Sequence, residues 1–279
     1  VHTHNLSMVE FDRDPGFGLD VKPVDYVPEA ERATFMGFVR EDGRVGTRNF
    51  IGILSSVNCS ATVIKNIAAH FTPERLAAFP NVDGVAAFAQ TSGCGMSSPS
   101  EHFDVLRRTI AGYARHPNMA GVLIVGLGCE RNQVAGLVES QGLASGRLMR
   151  TMVMQEVGGT RVTIEAGIKA IEEMLPIANS YQRQSVPASH IKIGLECGGS
   201  DGFSGITANP ALGAAMDILV RHGGTAILSE TPEIHGVEYM LTRRAVTPEV
   251  GQKLLDRLTW WENYTRGHNG QFNGVVGPG

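Results

Sequence analysis

The sequence predicts an α/β protein: a doubly wound, mainly parallel sheet with helices on both faces. Three observations predict it. Six short apolar runs, of which 121–127 (GVLIVGL) is the clearest, alternate with longer segments of helical periodicity. The amphipathic stretch 162–177 puts Ile164, Ile168, Ile171 and Leu175 on one face and Lys169, Glu172 and Glu173 on the other. The strands are apolar throughout rather than alternating, which fits parallel sheets buried on both faces and joined by right-handed helical crossovers.

In chain order, residues 1–35 carry prolines, acids and little periodicity, and read as a linker or extended arm. His2 and His4 at its head could share a metal if a third ligand came near. Residues 38–40 are strand-like, 41–44 a turn, and 49–54 (NFIGIL) the first central strand, followed by a helix at 61–70. A strand at 82–89, a helix at 101–115, the strand at 121–127, a helix at 132–141 and a strand at 148–154 come next. After the helix at 162–177 follow a strand at 191–195, a helix at 211–221 and a strand at 225–228. Helices at 234–243 and 248–265 close one α/β domain spanning 36–266, and 267–279 are turn-formers leading into a linker.

Composition narrows the function classes. Hydrophobic content of 42% and charged content of 19% are ordinary for an enzyme, and the formal net charge is −4 without a basic block. Nucleic acid and anionic membrane surfaces are therefore not expected partners. No apolar run approaches the roughly 20 residues that span a bilayer, and no signal-peptide pattern opens the chain. The four cysteines are too dispersed for a small disulfide framework, so a reducing, cytoplasmic setting is expected.

The chemistry-bearing residues fall at strand ends. Asn58 and Cys59 follow the first central strand, Cys94 the second, Cys129 the third, Cys197 the fifth and Glu230 the sixth. Ligands of open parallel sheets bind outside the carboxyl ends of the strands, so all four cysteines are expected along one edge. Soft thiolates beside carboxylates and amides suit iron or zinc, which makes Cys59, Cys94, Cys129 and Cys197 the candidate metal ligands. An iron–sulfur cluster and a mononuclear Fe²⁺ site both remain open. The GxG patterns at 93–95 and 126–128 do not extend to G-x-G-x-x-G, which disfavours a nicotinamide-dependent dehydrogenase.

The segment 194–210, GLECGGSDGFSGITANP, has almost nothing to bury and reads as an active-site loop at a helix start. Ser200, Ser204, Thr207 and Asn209, with Asn58, are the candidate substrate-binding groups. His235 is a catalytic candidate, whereas His222 fits a helix-capping role. Arg40, Arg44 and Arg48 could clamp a carboxylate or be hairpin arginines, with Arg48 and Asn49 at the wrong end of their strand for the active edge.

In combination DGRVGTRNFIGIL, SSVNCSAT, SGCGM, GLGCERNQ, GLECGGSDGFSGITANPALG and GGTAILSETPEIHG resemble the altronate/galactarate dehydratase family of sugar-acid hydro-lyases, across 36–266. The motifs are also similar to sulfolactate sulfo-lyase large subunits. The resemblance implies dehydration of a small-molecule sugar acid to a 2-keto-3-deoxy acid, with Fe²⁺ or another divalent metal. Glu196, Asp201, Glu230 and Glu233 are the carboxylates then placed to share the general base and acid roles. It further implies that 1–35 links from a preceding small domain, that a C-terminal domain follows residue 279, and that copies of the chain form a homo-oligomer. On this reading the chain lacks the cover its site needs and would give no turnover alone. A sulfo-lyase and a non-catalytic substrate-binding or assembly domain are the alternative readings.

Overall fold

The computed structural model describes residues 14–144, 146–196, 198 and 202–267. The chain divides into two compact units, one of Phe35–Val186 and one that joins the N-terminal segment to everything from Pro187 onward.

The Phe35–Val186 unit is built on β1 (Thr34–Val39), β2 (Val45–Gly46), β3 (Phe50–Ser55), α1 (Ala61–His70), α2 (Pro73–Leu76), β4 (Gly84–Phe88), α3 (Glu101–Ala114), β5 (Met119–Gly126), α4 (Val134–Ser140), β6 (Met149–Val153), α5 (Met154–Val157), α6 (Thr160–Asn179) and β7 (Arg183–Pro187). Its centre is a four-stranded parallel sheet in the order β4-β3-β5-β6. Both faces are covered, because alternate residues of each strand enter different clusters. Ile51, Ile53, Leu123 and Val125 pack with Ile64 and Ile67 of α1 and Ile171, Met174 and Leu175 of α6. Leu54, Val122 and Ile124 pack instead with Ile110 and Ala111 of α3 and Val134 and Leu137 of α4. The fold is therefore α/β and doubly wound.

The chain runs from β3 to β4 on one side, then passes back over β3 to reach β5, so the strand order reverses between β3 and β5. Open α/β sheets bind their ligands in the crevice at such a reversal, outside the carboxyl ends of the two strands. A smaller sheet, ordered β2-β1-β7, sits beside this core. Here Arg40 is buried rather than a surface hairpin residue: it donates to Pro117 O at 2.7 Å, Asn49 Oδ1 at 2.8 Å and Arg48 O at 3.1 Å. Asn49 is fully buried and donates to Asn81 O and Ala178 O, so this pair is a structural clasp at the amino end of β3.

Helix α3 starts where Ser100 caps it, its hydroxyl accepting the Phe103 N–H at 3.2 Å. Helices α1 and α6 touch at Gly167, where an added Cβ would lie 2.4 Å from Ile67 Cδ1. Ile67 is fully buried and has little room to yield. Gly167→Ala is expected to destabilise this unit by about 1–3 kcal/mol through overpacking, read as a lower urea midpoint with unchanged secondary structure. A midpoint shift under a few tenths of that range would show that the contact is loose.

The second unit carries β8 (Lys192–Leu195), α7 (Ala208–Arg221), β9 (Thr225–Leu228), α8 (Tyr239–Thr242) and α9 (Pro248–Gly267). Strands β8 and β9 form their own parallel pair. The six apolar strands expected in one sheet thus distribute as four and two. The helix expected at 234–243 is also reduced, to a 3₁₀ turn at Thr231–Ile234 and the single turn of α8, with Gly236 at φ 84° between them. The N-terminal segment runs along this unit: the Val27 N–H donates to Arg221 O, and Asp20 and Asp25 pair with Arg243 and Arg221 at 2.5 and 3.0 Å. His222 ends α7, and its Nδ1 accepts the Ala33 N–H at 3.0 Å, a structural role. Among the described residues no helix is long and apolar enough to cross a membrane.

Candidate functional site

The crevice at the strand reversal in the Phe35–Val186 unit is walled by three loops, each leaving the carboxyl end of a parallel strand. After β3 the buried Ser55, Ser56 and Val57 lead into a 3₁₀ turn, Asn58–Ser60, that exposes Asn58 and Cys59. The turn is fixed from beneath, since Ser60 Oγ is buried and reaches Val125 O at 2.7 Å and Val57 O at 3.0 Å. After β4 the loop 89–100 presents Cys94, and after β5 the loop 127–133 presents Cys129. All three thiols are exposed.

Hydrogen bonds join the three loops into one framework. The Asn58 N–H donates to Ser92 O at 2.9 Å, the Asn132 N–H to Gly93 O at 3.2 Å, and the Arg131 N–H to Cys94 O at 3.2 Å. Asn132, fully buried, donates from Nδ2 to Ser56 O at 3.0 Å while its Oδ1 accepts from Arg107 Nε at 3.1 Å. Glu130 is only 2% exposed. Its Oε1 accepts from Ser56 Oγ at 3.0 Å and the Leu127 N–H at 3.1 Å, and its Oε2 accepts the Gly128 N–H at 2.5 Å. The buried carboxylate thus ties the loop carrying Cys129 to the loop carrying Cys59. Its burial is tolerable because both oxygens are satisfied.

The thiols sense one another. Desolvation raises the Cys59 pKa above its ordinary value, and the neighbouring Cys94 and Cys129 raise it further. Cys59 Sγ also lies 3.5 Å from Asn58 Oδ1. Among the described residues, no three His, Cys, Asp or Glu side chains are grouped so as to hold a metal ion. The donor chemistry of three thiols suits a soft metal, but their arrangement alone does not close a metal site.

The remaining candidates lie in the second unit. Glu196 follows β8 and Glu230 closely follows β9; with Leu195 paired to Leu228, both sit at the carboxyl end of that strand pair. Glu233 and His235 follow on the next turn, with the Glu233 N–H donating to Glu230 O and the His235 N–H to Pro232 O. Ser204, Thr207 and Asn209 lie at the start of α7; Ser204 O accepts the Asn209 N–H at 2.8 Å, and the Thr207 hydroxyl donates to Phe203 O at 2.9 Å. Cys197, Ser200 and Asp201, with His2 and His4, lie outside the described residues.

Glu230 is the one non-glycine residue with positive φ among the described residues, at φ 63° and ψ 51°. A left-handed backbone costs an L-residue about 1–2 kcal/mol, and such strain concentrates where function requires a side chain. Glu230→Gly is expected to leave stability unchanged or raise it by up to about 1 kcal/mol, measured by urea unfolding, while impairing any activity that uses the carboxylate. A clear loss of stability would instead make the side chain a packing element.

Sequence reasoning placed the three thiols at the strand ends and left Glu130, Asn132 and Gln90, which stand in the same polar strand tips, without a role. Gln90 Oε1 accepts from the Ser92 N–H and hydroxyl, while its Nε2 is buried without a partner. The available signal was the place of these polar residues just beyond apolar strands.

Comparison with known proteins matches both units. Residues 37–179 match the model of "D-galactarate dehydratase/Altronate hydrolase, second domain", and 188–279 that of "D-galactarate/Altronate dehydratase, C-terminal". The chain is 37% identical over 239 residues to altronate dehydratase of Bacillus subtilis (strain 168), covering 86% of this chain and 47% of that protein. It is 38% identical over 253 residues to galactarate dehydratase (L-threo-forming) of Escherichia coli (strain K12), covering 88% and 48%. It is 29% identical over 227 residues to the (2R)-sulfolactate sulfo-lyase subunit beta of Chromohalobacter salexigens, covering 81% and 54%. The chain therefore spans about half the length of these relatives. With its fold, its strand-end thiols and both family models in register with its two units, the chain belongs to the D-galactarate dehydratase/altronate hydrolase family.

Proposed function

We propose that this chain is part of a lyase that dehydrates a sugar acid of the altronate or galactarate class to a 2-keto-3-deoxy acid. The observation that carries the reading is family membership together with a stitched, polar, thiol-bearing crevice at the strand reversal, where an open α/β sheet binds its ligand. Dehydration removes the proton α to a carboxylate and expels the β-hydroxyl. The proposed base and acid are drawn from Glu196, Asp201, Glu230, Glu233 and His235. Ser200, Ser204, Thr207, Asn209 and Asn58 are proposed to hold substrate hydroxyl and carboxylate oxygens. Fe²⁺ or another divalent metal, or alternatively an iron–sulfur cluster, is proposed as cofactor on donor chemistry alone, with Cys59, Cys94, Cys129 and Cys197 as the proposed ligands. Flanking domains belong to the same proposal, supported by the share of the relatives that the chain spans, and a homo-oligomeric state is proposed with them.

The second reading is a sulfo-lyase, favoured by the similarity to the sulfolactate enzyme subunit. It is the same elimination with a β-sulfonate as leaving group. A third reading, substrate binding without turnover, follows from the partial span. The natural polypeptide containing this chain, assayed anaerobically with Fe²⁺, is expected to form keto acid from altronate or galactarate. Sulfite release from sulfolactate, with neither sugar acid consumed, would move the assignment to the sulfo-lyase. Saturable binding of a sugar acid without product would leave a binding domain.

A further inference from the structure

Arg40 is a buried charge whose partners are all neutral. It is 9% exposed, and its three hydrogen bonds go to Pro117 O, Asn49 Oδ1 and Arg48 O. Among the described residues no carboxylate pairs with it, and Asp42, whose charge it feels, is engaged by Arg44 at 2.5 Å. Burial lowers the Arg40 pKa, but a guanidinium in a protein keeps its proton. The ring faces of Tyr181 and Phe38, 4.9 and 5.7 Å from Arg40 Cζ, compensate part of the charge. The rest is a desolvation cost that an anionic partner would offset.

The same guanidinium lines a cavity of about 240 Å³ at the amino end of β5, the opposite end of the sheet from the cysteine-bearing loops. Three guanidiniums, of Arg40, Arg44 and Arg115, line it against two carboxylates, of Glu41 and Asp42. Hydrogen-bond donors remain unspent there. Arg40 has two N–H groups beyond its three bonds, and Arg115 spends one of its own on Gln141 O. Burial, then the Glu41 charge, raises the Tyr181 pKa, so the hydroxyl stays protonated. Among the described residues that hydroxyl has no hydrogen-bond partner. His116 Nδ1 accepts the Asn118 N–H at 3.1 Å, which puts the proton of a neutral ring on Nε2. Burial, then the Arg44 charge, lowers the His116 pKa and keeps the ring in that form.

We propose that this cavity binds a small oxyanion, a carboxylate or a phosphate, held by Arg40, Arg115, Tyr181 and His116. Guanidinium groups match both anions through charge-assisted hydrogen bonds. The bound anion completes the ion pair of Arg40 and links the α3–β5 junction to the segment that follows α6.

Calorimetric titration tests this on the natural polypeptide containing the chain, stripped of metal with EDTA, at constant ionic strength set with chloride. Inorganic phosphate and malonate are the probes. Saturable binding is expected with at least one of them, and the tighter of the two gives the class of the anion. Arg40 stays in place, since its bonds hold the amino end of β3. Tyr181→Phe keeps the ring over Arg40 and removes only the hydroxyl, and Arg115→Gln removes an exposed guanidinium. Each is expected to weaken binding by about tenfold, the worth of a hydrogen bond to a charged partner. Asn58→Ala, at the carboxyl end of the sheet, is expected to leave this binding unchanged. No saturable binding of either anion, or full binding in both of the first two variants, would overturn the proposal. Binding abolished by Asn58→Ala and untouched by Tyr181→Phe would also overturn it, by placing the anion among the strand-end loops. Binding is read without turnover, so failure here leaves the dehydratase reading standing.

Discussion

Glu130→Ala is expected to destabilise the Phe35–Val186 unit by about 3–4 kcal/mol and to disorder the loop that presents Cys129. The side chain satisfies Ser56 Oγ and the N–H groups of Leu127 and Gly128 in a setting 2% exposed. Alanine strips all three of their acceptor, and each stranded buried donor costs about 1–3 kcal/mol before water partly compensates. Glu130→Gln isolates the hydrogen-bond pattern from the volume. The Gly128 N–H sits 2.5 Å from Oε2, so an amide NH₂ there faces a donor with a donor, at a cost of about 1–3 kcal/mol. Urea unfolding followed by amide exchange at 127–133 measures both. If Gln and Ala proved equally mild, the carboxylate would not be organising the crevice.

Gly93→Ala should cost about 3 kcal/mol and act on the neighbouring loop. Gly93 adopts φ +96°, a conformation costing an L-residue about 1–2 kcal/mol. Its added Cβ would also lie 2.5 Å from Ser56 O and 3.1 Å from Val57 Cα, both backbone atoms that cannot rotate aside. Overpacking of that kind adds about 1–3 kcal/mol. Displacement must stretch the bonds from Asn132 and Arg131 to Gly93 O and Cys94 O, so the Cys94 alkylation rate is expected to change along with the unfolding midpoint. A normal midpoint would mean that the loop accommodates the methyl group by moving freely.

What the sequence made legible follows the range of each interaction. Residues 61–70 and 225–228 were read as helix and strand with the same bounds that α1 and β9 show, because each has a continuous local pattern. Strand β7 was not read: RQSVP is polar and ends in proline, and only pairing beside β1 makes it a strand. At 234–243 the apolar spacing favoured a helix, but Gly236 at φ 84° interrupts it. The division of strands between sheets was illegible for a deeper reason. KIGL and TAIL are short runs with apolar residues, as FIGILS is, and only long-range pairing decides which sheet each joins.

At the site, Cys59, Cys94 and Cys129 could be placed because the carboxyl edge follows from topology alone. Glu130 stood in the same GLGCE motif but was given no role, since a glutamate reads as exposed until its three donors are known. Its role comes from Ser56, a partner 74 residues away.

The thiol-bearing strand ends of the Phe35–Val186 unit are the proposed reactive site of a sugar-acid lyase. The most direct test is kcat, together with the urea midpoint, for Cys94→Ser and Cys129→Ser in the natural polypeptide, on whichever sugar acid the unsubstituted protein dehydrates. Both cysteines are exposed, so stability is expected to change by no more than about 0.5 kcal/mol. Loss of a group that acts in the transition state is expected to lower kcat by about 100-fold or more. A kcat within about twofold of the unsubstituted protein, a difference of under about 0.5 kcal/mol in barrier, would contradict the claim and place the chemistry elsewhere.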